Sequence, residues 1–200
     1  KAFTESLQKH RDVFGELYFE TPLKPLKAYA PEQVIYLTSF SKIISSGFRL
    51  GFIIPPRELV QKFVLAKELN DVSANTYIQH IVCELIVNGT FHKVLADIRI
   101  EYKKRHDSLL VFLQRHLSEW ASWTHPAGGM FLWLYLKNDM DSNELLELCA
   151  AKKLVFLPGT AFYPHGAGGQ HEIRLSFSNL PSEKIQKGIT LLAQCIKEYY

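Results

Sequence analysis

The sequence predicts a mixed α/β fold, and three of its features carry that reading. Short apolar runs rich in β-branched and aromatic residues, such as Val34–Leu37, Leu50–Ile54 and Met130–Leu136, end in proline, hydroxyl or other polar residues, as strands do. Longer stretches between them repeat apolar residues at helical spacing. At 200 residues, with 47% hydrophobic and 12% aromatic content, the chain can bury a core and is globular rather than disordered.

Residues 1–11 read as a polar helical or irregular lead-in, followed by an apolar and aromatic run from Val13 to Phe19. Thr21-Pro22-Leu23-Lys24-Pro25 and Ala30-Pro31 punctuate a connecting loop. After the strand at Val34–Leu37 and the run at Leu50–Ile54, Pro55 and Pro56 close the unit, and Pro56 suits the first turn of a helix. Apolar Leu59, Val60, Phe63, Val64 and Ala66 predict that helix over residues 57–69, and Asp71 to Asn75 supply turn and cap residues. A second helix is predicted from Thr76 to Val87, with Asn88-Gly89 as its stop. The longest pattern places Phe91, Leu95, Ile98, Tyr102, Leu109 and Leu113 on one face and ends near His116. His106 falls on that face and reads as a packed helix histidine.

A change of composition follows. Trp123 to Gly129 reads as a turn, Met130–Leu136 as an aromatic strand, and Asp141 as a helix cap with Glu144 placed for a capping box, the helix running to about Lys152. Leu154–Leu157 is a predicted strand ended by Pro158-Gly159. The loop Gly166-Ala167-Gly168-Gly169 leads into a strand over Glu172–Ser178. A last helix starts at Pro181 and Glu183 and carries Ile185, Ile189, Leu192, Ile196 and Tyr199 on one side. This succession is an α+β or α/β unit, so a boundary falls near residue 100, between domains of residues 1–100 and 101–200.

The net charge of +3 is weak and dispersed, which argues against nucleic acid as the partner of these residues. Cys83, Cys149 and Cys195 form an odd set without metal spacing. They are expected to be buried free thiols in a reducing, cytoplasmic compartment. The longest apolar stretch, residues 34–54, is interrupted by Lys42, Arg49 and several serines and does not read as a membrane span. No charged-then-apolar leader stands at the start, and Lys1 suggests a chain that begins within a longer protein. The histidines show no zinc spacing, and no G-x-S-x-G elbow is present. The Gly166–Gly169 loop precedes a strand rather than a helix, so it lacks the helix terminus of a phosphate loop.

Chemistry concentrates in Thr38-Ser39-Phe40-Ser41-Lys42-Ile43-Ile44-Ser45-Ser46-Gly47-Phe48-Arg49-Leu50-Gly51, where a strand ends in hydroxyl residues and a lysine. In open α/β sheets ligands collect outside the carboxyl ends of strands. A lysine there can condense with an aldehyde once its amine has shed its proton. Ser39, Ser41 and Arg49 offer short donors and a planar, permanently charged fork, the groups a phosphate needs. An aldehyde and a phosphate on one molecule describe pyridoxal 5'-phosphate (PLP). A second candidate is Arg174, inside the apolar strand Ile173-Arg174-Leu175-Ser176-Phe177. A charge there calls for a structural glutamate, water at a sheet edge, or a substrate carboxylate.

The S-F-S-K stretch at Ser39–Lys42, a short linker and G-x-R-x-G at Gly47–Gly51 resemble the active-site lysine segment of fold-type I, class I/II PLP-dependent aminotransferases. The resemblance continues through P-A-G-G-M-F-L-W at residues 126–133, V-F-L-P-G-T-A-F at 155–162 and I-R-L-S-F-S at 173–178. It spans the chain from about Val13 onward and covers the second half of such an enzyme. It implies a PLP-transferase-like fold, with residues 1–100 the end of the large α/β domain and 101–200 the small α+β carboxyl-terminal domain. It also implies amino transfer between an amino acid and a 2-oxo acid, in a homodimer with sites at the subunit interface. On this resemblance Lys42 is the catalytic, cofactor-binding lysine. Ser39, Ser41 and Arg49 hold the cofactor phosphate, Arg174 holds the substrate carboxylate, and no metal takes part.

One stretch departs from the family. Just before G-E-L-Y-F the family reads E-D-D-x-Y, whose first aspartate keeps the pyridinium nitrogen protonated. Without a gap, that aspartate and the tyrosine correspond here to Arg11 and Phe14, and Asp12 lies one residue away. An arginine facing the ring nitrogen disfavours its protonation. The F-G-E-L-Y-F and T-S-F-S-K segments resemble equally the aminotransferase-like, effector-sensing domain of GntR/MocR-type transcriptional regulators, where it follows a winged-helix DNA-binding module. Nucleic acid is a partner only if such a module lies upstream. A cofactor-free scaffold is a third alternative, and it implies no covalent adduct.

Overall fold

Two compact units, Lys1–Arg99 and Ile100–Tyr200, make up the chain in a computed structural model that describes residues 8–11 and 14–199. In the first unit, strands β1 (Gln8–Arg11) and β2 (Val34–Ser39) pair in parallel, and β3 (Gly51–Ile54) pairs antiparallel with β2. The polar lead-in is therefore a strand at residues 8–11. Its residues have no apolar alternation to announce it, and pairing with β2 supplies the preference that they lack. Asp12 and Val13 lie outside the described residues. β2 runs past its apolar run because Thr38 and Ser39 stay in register with Phe52 and Gly51.

The approach to β2 is pinned by Lys27, whose ammonium donates to the carbonyl of Val34 at 2.9 Å and to that of Pro31. Glu16-Leu17-Tyr18 is held from the other side of the sequence. Arg99 donates to the Glu16 carbonyl at 2.7 Å and to its carboxylate at 2.9 Å, and its guanidinium lies 3.7 Å over the Tyr18 ring. Leu17 is buried beneath them.

Helix α1 (Val60–Asp71) follows a single 3-10 turn at Arg57–Leu59. Asn75 caps α2 (Thr76–Val87) by accepting from the Ile78 amide at 3.2 Å, and the chain leaves α2 through Asn88 and a left-handed Gly89. The apolar residues that predict α1 are not buried: Val60 is 39% exposed and Val64 45%. Helix α3 (Thr90–Leu117) runs across the division between the units.

The second unit is a two-layer α+β arrangement built on a four-stranded antiparallel sheet in the order β4-β5-β7-β6. Its strands are β4 (Ala121–Trp123), β5 (Phe131–Leu136), β6 (Leu157–Pro158) and β7 (Glu172–Ser176). Strict alternation sorts the two faces. Leu132, Leu134, Leu136 and Ile173 are buried, whereas Phe131, Trp133, Tyr135, Glu172 and Arg174 belong to the other face. The buried side meets Leu109, Leu113 and Leu117 of α3, Leu145 and Cys149 of α4 (Ser142–Ala151), and Ile185, Ile189, Leu192 and Ile196 of α5 (Ser182–Tyr199). His106 packs edge-on against Phe177 with ring centres 5.4 Å apart, a core histidine.

Three boundaries differ from the sequence reading. Ala121–Trp123 is a strand rather than the approach to a turn, because it pairs with β5. The run at Leu154–Leu157 yields only the two-residue β6, since the Leu154 amide closes the end of α4 by donating to Cys149 O at 3.0 Å. β7 stops at Ser176, short of Ser178. Cys149 and Cys195 are buried, but Cys83 is exposed on α2, contrary to the expectation for all three thiols. Burial and the neighbouring Cys195 push the Cys149 thiol up to about 12, so it stays protonated. Among the described residues, no helix is long and apolar enough to cross a membrane.

Candidate active site

At the end of β2 the chain must turn back into β3, and the lysine sits on that corner. The Phe40 amide donates to Leu50 O at 3.0 Å, which closes the loop. The Phe40 carbonyl then accepts from the amides of Ile43, Ile44 and Ser45 at 3.2, 2.8 and 3.2 Å, and so winds Phe40–Lys42 into a 3-10 turn. Ile43 is buried and anchors the turn from below, leaving Lys42 exposed beside half-buried Ser39 and Ser41. Gly51 is required by close approach: a Cβ there would lie 2.6 Å from Thr38 O and 3.3 Å from the Ser39 Cβ. This glycine presses β3 against the residues that immediately precede the lysine turn.

Arg49 ends a second 3-10 turn (Ser46–Phe48), for which Ser45 Oγ accepts from the Gly47 amide at 3.2 Å. Its backbone is left-handed, at φ 49° and ψ 34°, and its guanidinium donates to Ser46 O at 3.4 Å. That contact leaves most of its donors unused. Among the described residues, neither the Ser39 and Ser41 hydroxyls nor the Lys42 ammonium has a hydrogen bond or ion pair. Uncommitted hydroxyls, a guanidinium and a free primary amine on one corner fit a ligand that carries both phosphate and aldehyde.

The other predicted residue, Arg174, lies in the second unit, on β7 between its cross-strand partners Trp133 and Leu157. Since β7 is an inner strand, the edge-strand explanation for this arginine fails. The glutamate explanation fails too, for Arg174 has no ion pair or hydrogen bond among the described residues. Its guanidinium instead lies 4.0 Å from the centre of the Phe131 ring and 4.5 Å from that of Phe162, and Phe162 meets Trp133 edge-on at 5.2 Å. Burial among these rings lowers the Arg174 pKa, yet guanidinium stays charged. A half-buried cation held by two aromatic faces, with its hydrogen-bonding edges unspent, is suited to bidentate capture of a carboxylate. Sequence reading found this arginine but not its clamp. Phe131 and Phe162 lie on different loops and strands, and only the sheet register brings them to one guanidinium.

The family model described as aminotransferase class I and II matches residues 12–192. The chain belongs to that family. Its fold is the fold-type I aminotransferase architecture. Aromatic-amino-acid aminotransferase 1 of Thermococcus litoralis is 39% identical over 187 residues, which are 92% of this chain and 45% of that aminotransferase. The solved kynurenine aminotransferase of Pyrococcus horikoshii, in complex with PMP, superposes with a TM-score of 0.90 at 36% identity, covering 96% of this chain and 48% of that one. The HTH-type transcriptional regulator NorG of Staphylococcus aureus is 29% identical over 189 residues, 94% of this chain and 42% of the regulator. The chain thus spans about half the length of the curated class I and II aminotransferases that it matches.

Proposed function

We propose that this chain carries the lysine and carboxylate-binding parts of a PLP-dependent aminotransferase acting between an amino acid and a 2-oxo acid. The observation that carries the reading is the corner from Ser39 to Arg49, with its free amine, free hydroxyls and under-used guanidinium, in a member of this family. PLP supplies an aldehyde and an electron-accepting ring. Ser39, Ser41 and Arg49 hold its phosphate with short donors and a permanent charge. Lys42 would be the nucleophile that holds the cofactor and the base that moves the proton at the substrate α-carbon. Arg174 grips the carboxylate of the amino acid with its planar fork.

In this reading residues 1–100 are the end of the large cofactor domain and 101–200 the small carboxyl-terminal domain, working in a homodimer. Three unpaired cysteines support a cytoplasmic setting. The likeness to NorG supports a second reading, in which the same site senses an amino acid inside a regulator.

Turnover separates the two. In the protein supplied with PLP, amino groups are expected to pass from an amino acid to 2-oxoglutarate with ping-pong kinetics, and Arg174→Met is expected to lose most of that activity. An amino acid that binds without transferring its nitrogen would overturn the enzyme reading in favour of the sensor.

A further inference from the structure

The loop between β6 and β7 contributes more than Phe162 to the surroundings of Arg174. Glu172 stands two residues before Arg174 on β7, on the same face of the sheet and about 7 Å away along the strand. That spacing lets a glutamate and an arginine pair. They do not pair here; instead Tyr163 donates its hydroxyl to Glu172 Oε1 at 2.7 Å. The glutamate in turn raises the tyrosine's pKa, which keeps the phenol protonated and donating.

The Tyr163 ring is seated by the glycines of the loop. A Cβ at Gly168 would lie 2.7 Å from one side of the ring and a Cβ at Gly169 2.7 Å from the other, and both residues have positive φ. Gly168 and Gly169 thus pack against a tyrosine. Phe162 stacks on the guanidinium, and its neighbour Tyr163 takes the acid nearest to it along β7.

We propose that Tyr163 is a positioning residue that withholds Glu172 from Arg174, so that the guanidinium stays free for the substrate carboxylate. This rests on the carboxylate role assigned to Arg174. Without the phenol hydroxyl, Glu172 competes with substrate as an internal counter-ion.

The test measures binding of 3-phenylpropanoate, a carboxylate without an amino group, by calorimetry on the PLP-loaded protein, together with KM and kcat for an amino acid. Tyr163→Phe is expected to weaken the probe roughly fivefold, the effect of one partly exposed ion pair acting as competitor. KM should rise by a similar factor with kcat little changed. Adding Glu172→Gln to Tyr163→Phe should restore wild-type affinity, a rescue that loss of loop packing would not allow. Unchanged binding in Tyr163→Phe, or weak binding that persists in the double variant, would overturn the proposal. Arg174→Met separates the underlying reading: if it binds the probe as well as wild type, the carboxylate role of Arg174 itself fails.

Discussion

Arg49 adopts a left-handed backbone that side chains other than glycine avoid at a cost of about 1–2 kcal/mol. Such a conformation persists where the surroundings over-determine it, and here the closed loop from Phe40 to Leu50 does so. Asparagine tolerates the same backbone, so Arg49→Asn should leave the thermal midpoint nearly unchanged while the dissociation constant for PLP rises on the order of tenfold. A large fall in stability with cofactor affinity intact would contradict the phosphate role. Single residues were most legible in the sequence where a charge stood in improbable company, as with Lys42 after a strand and Arg174 within one. Phe162, Tyr163 and Glu172 were not legible, because aromatic and acidic residues near a turn are ordinary until the sheet register and the Gly168–Gly169 backbone bring them together.

Among elements, the β2–β3 pair sets the geometry of the corner, and Gly51 sets the spacing of that pair. Gly51→Ala would drive a methyl into the Thr38 carbonyl, where backbone cannot step aside without moving the lysine turn. It should cost about 1–3 kcal/mol in denaturant unfolding and slow capture of PLP by Lys42. Unchanged stability would show that the strands can separate freely. The capping box at α4 shows a subtler outcome. Asp141 accepts from the amides of Asn143 and Glu144 as its position suggests, but Glu144 does not return to the Asp141 amide. Tyr199, at the end of α5, stands between them, taking the Asp141 amide at 3.3 Å and donating to the Glu144 carboxylate. Helices announced themselves through periodicity and caps. The short strands β1, β4 and β6 did not, because two to four residues are too few for a period to show, and only pairing makes them strands.

At the scale of the molecule, the two units are unequally buried. Residues 100–199 enclose both faces of the contact between sheet and helices, with Leu113, Leu132, Leu134, Ile173, Phe177 and Ile196 fully buried. Among the described residues of the first unit, all four positions of β3 and every residue of α1 lack full burial. Local stability follows buried apolar contact. Native-state hydrogen exchange of this chain should therefore show the amides of β5, β7 and α5 as the slowest, and those of β3 and α1 exchanging by much smaller openings. Equal protection in both units would contradict this account. The expected boundary near residue 100 rests on the later half, which alternates strand and helix with short loops. The exposure of α1 was not legible, since its apolar positions repeat as they would in a buried helix.

In the proposed function, Lys42 is the residue on which PLP is held. The direct measurement is borohydride reduction of the protein mixed with PLP, followed by peptide mapping. One phosphopyridoxyl group is expected on Lys42, formed at stoichiometric PLP and lost in Lys42→Arg. An adduct spread over the other lysines, or none at all, would contradict it and leave family membership as a statement of ancestry alone.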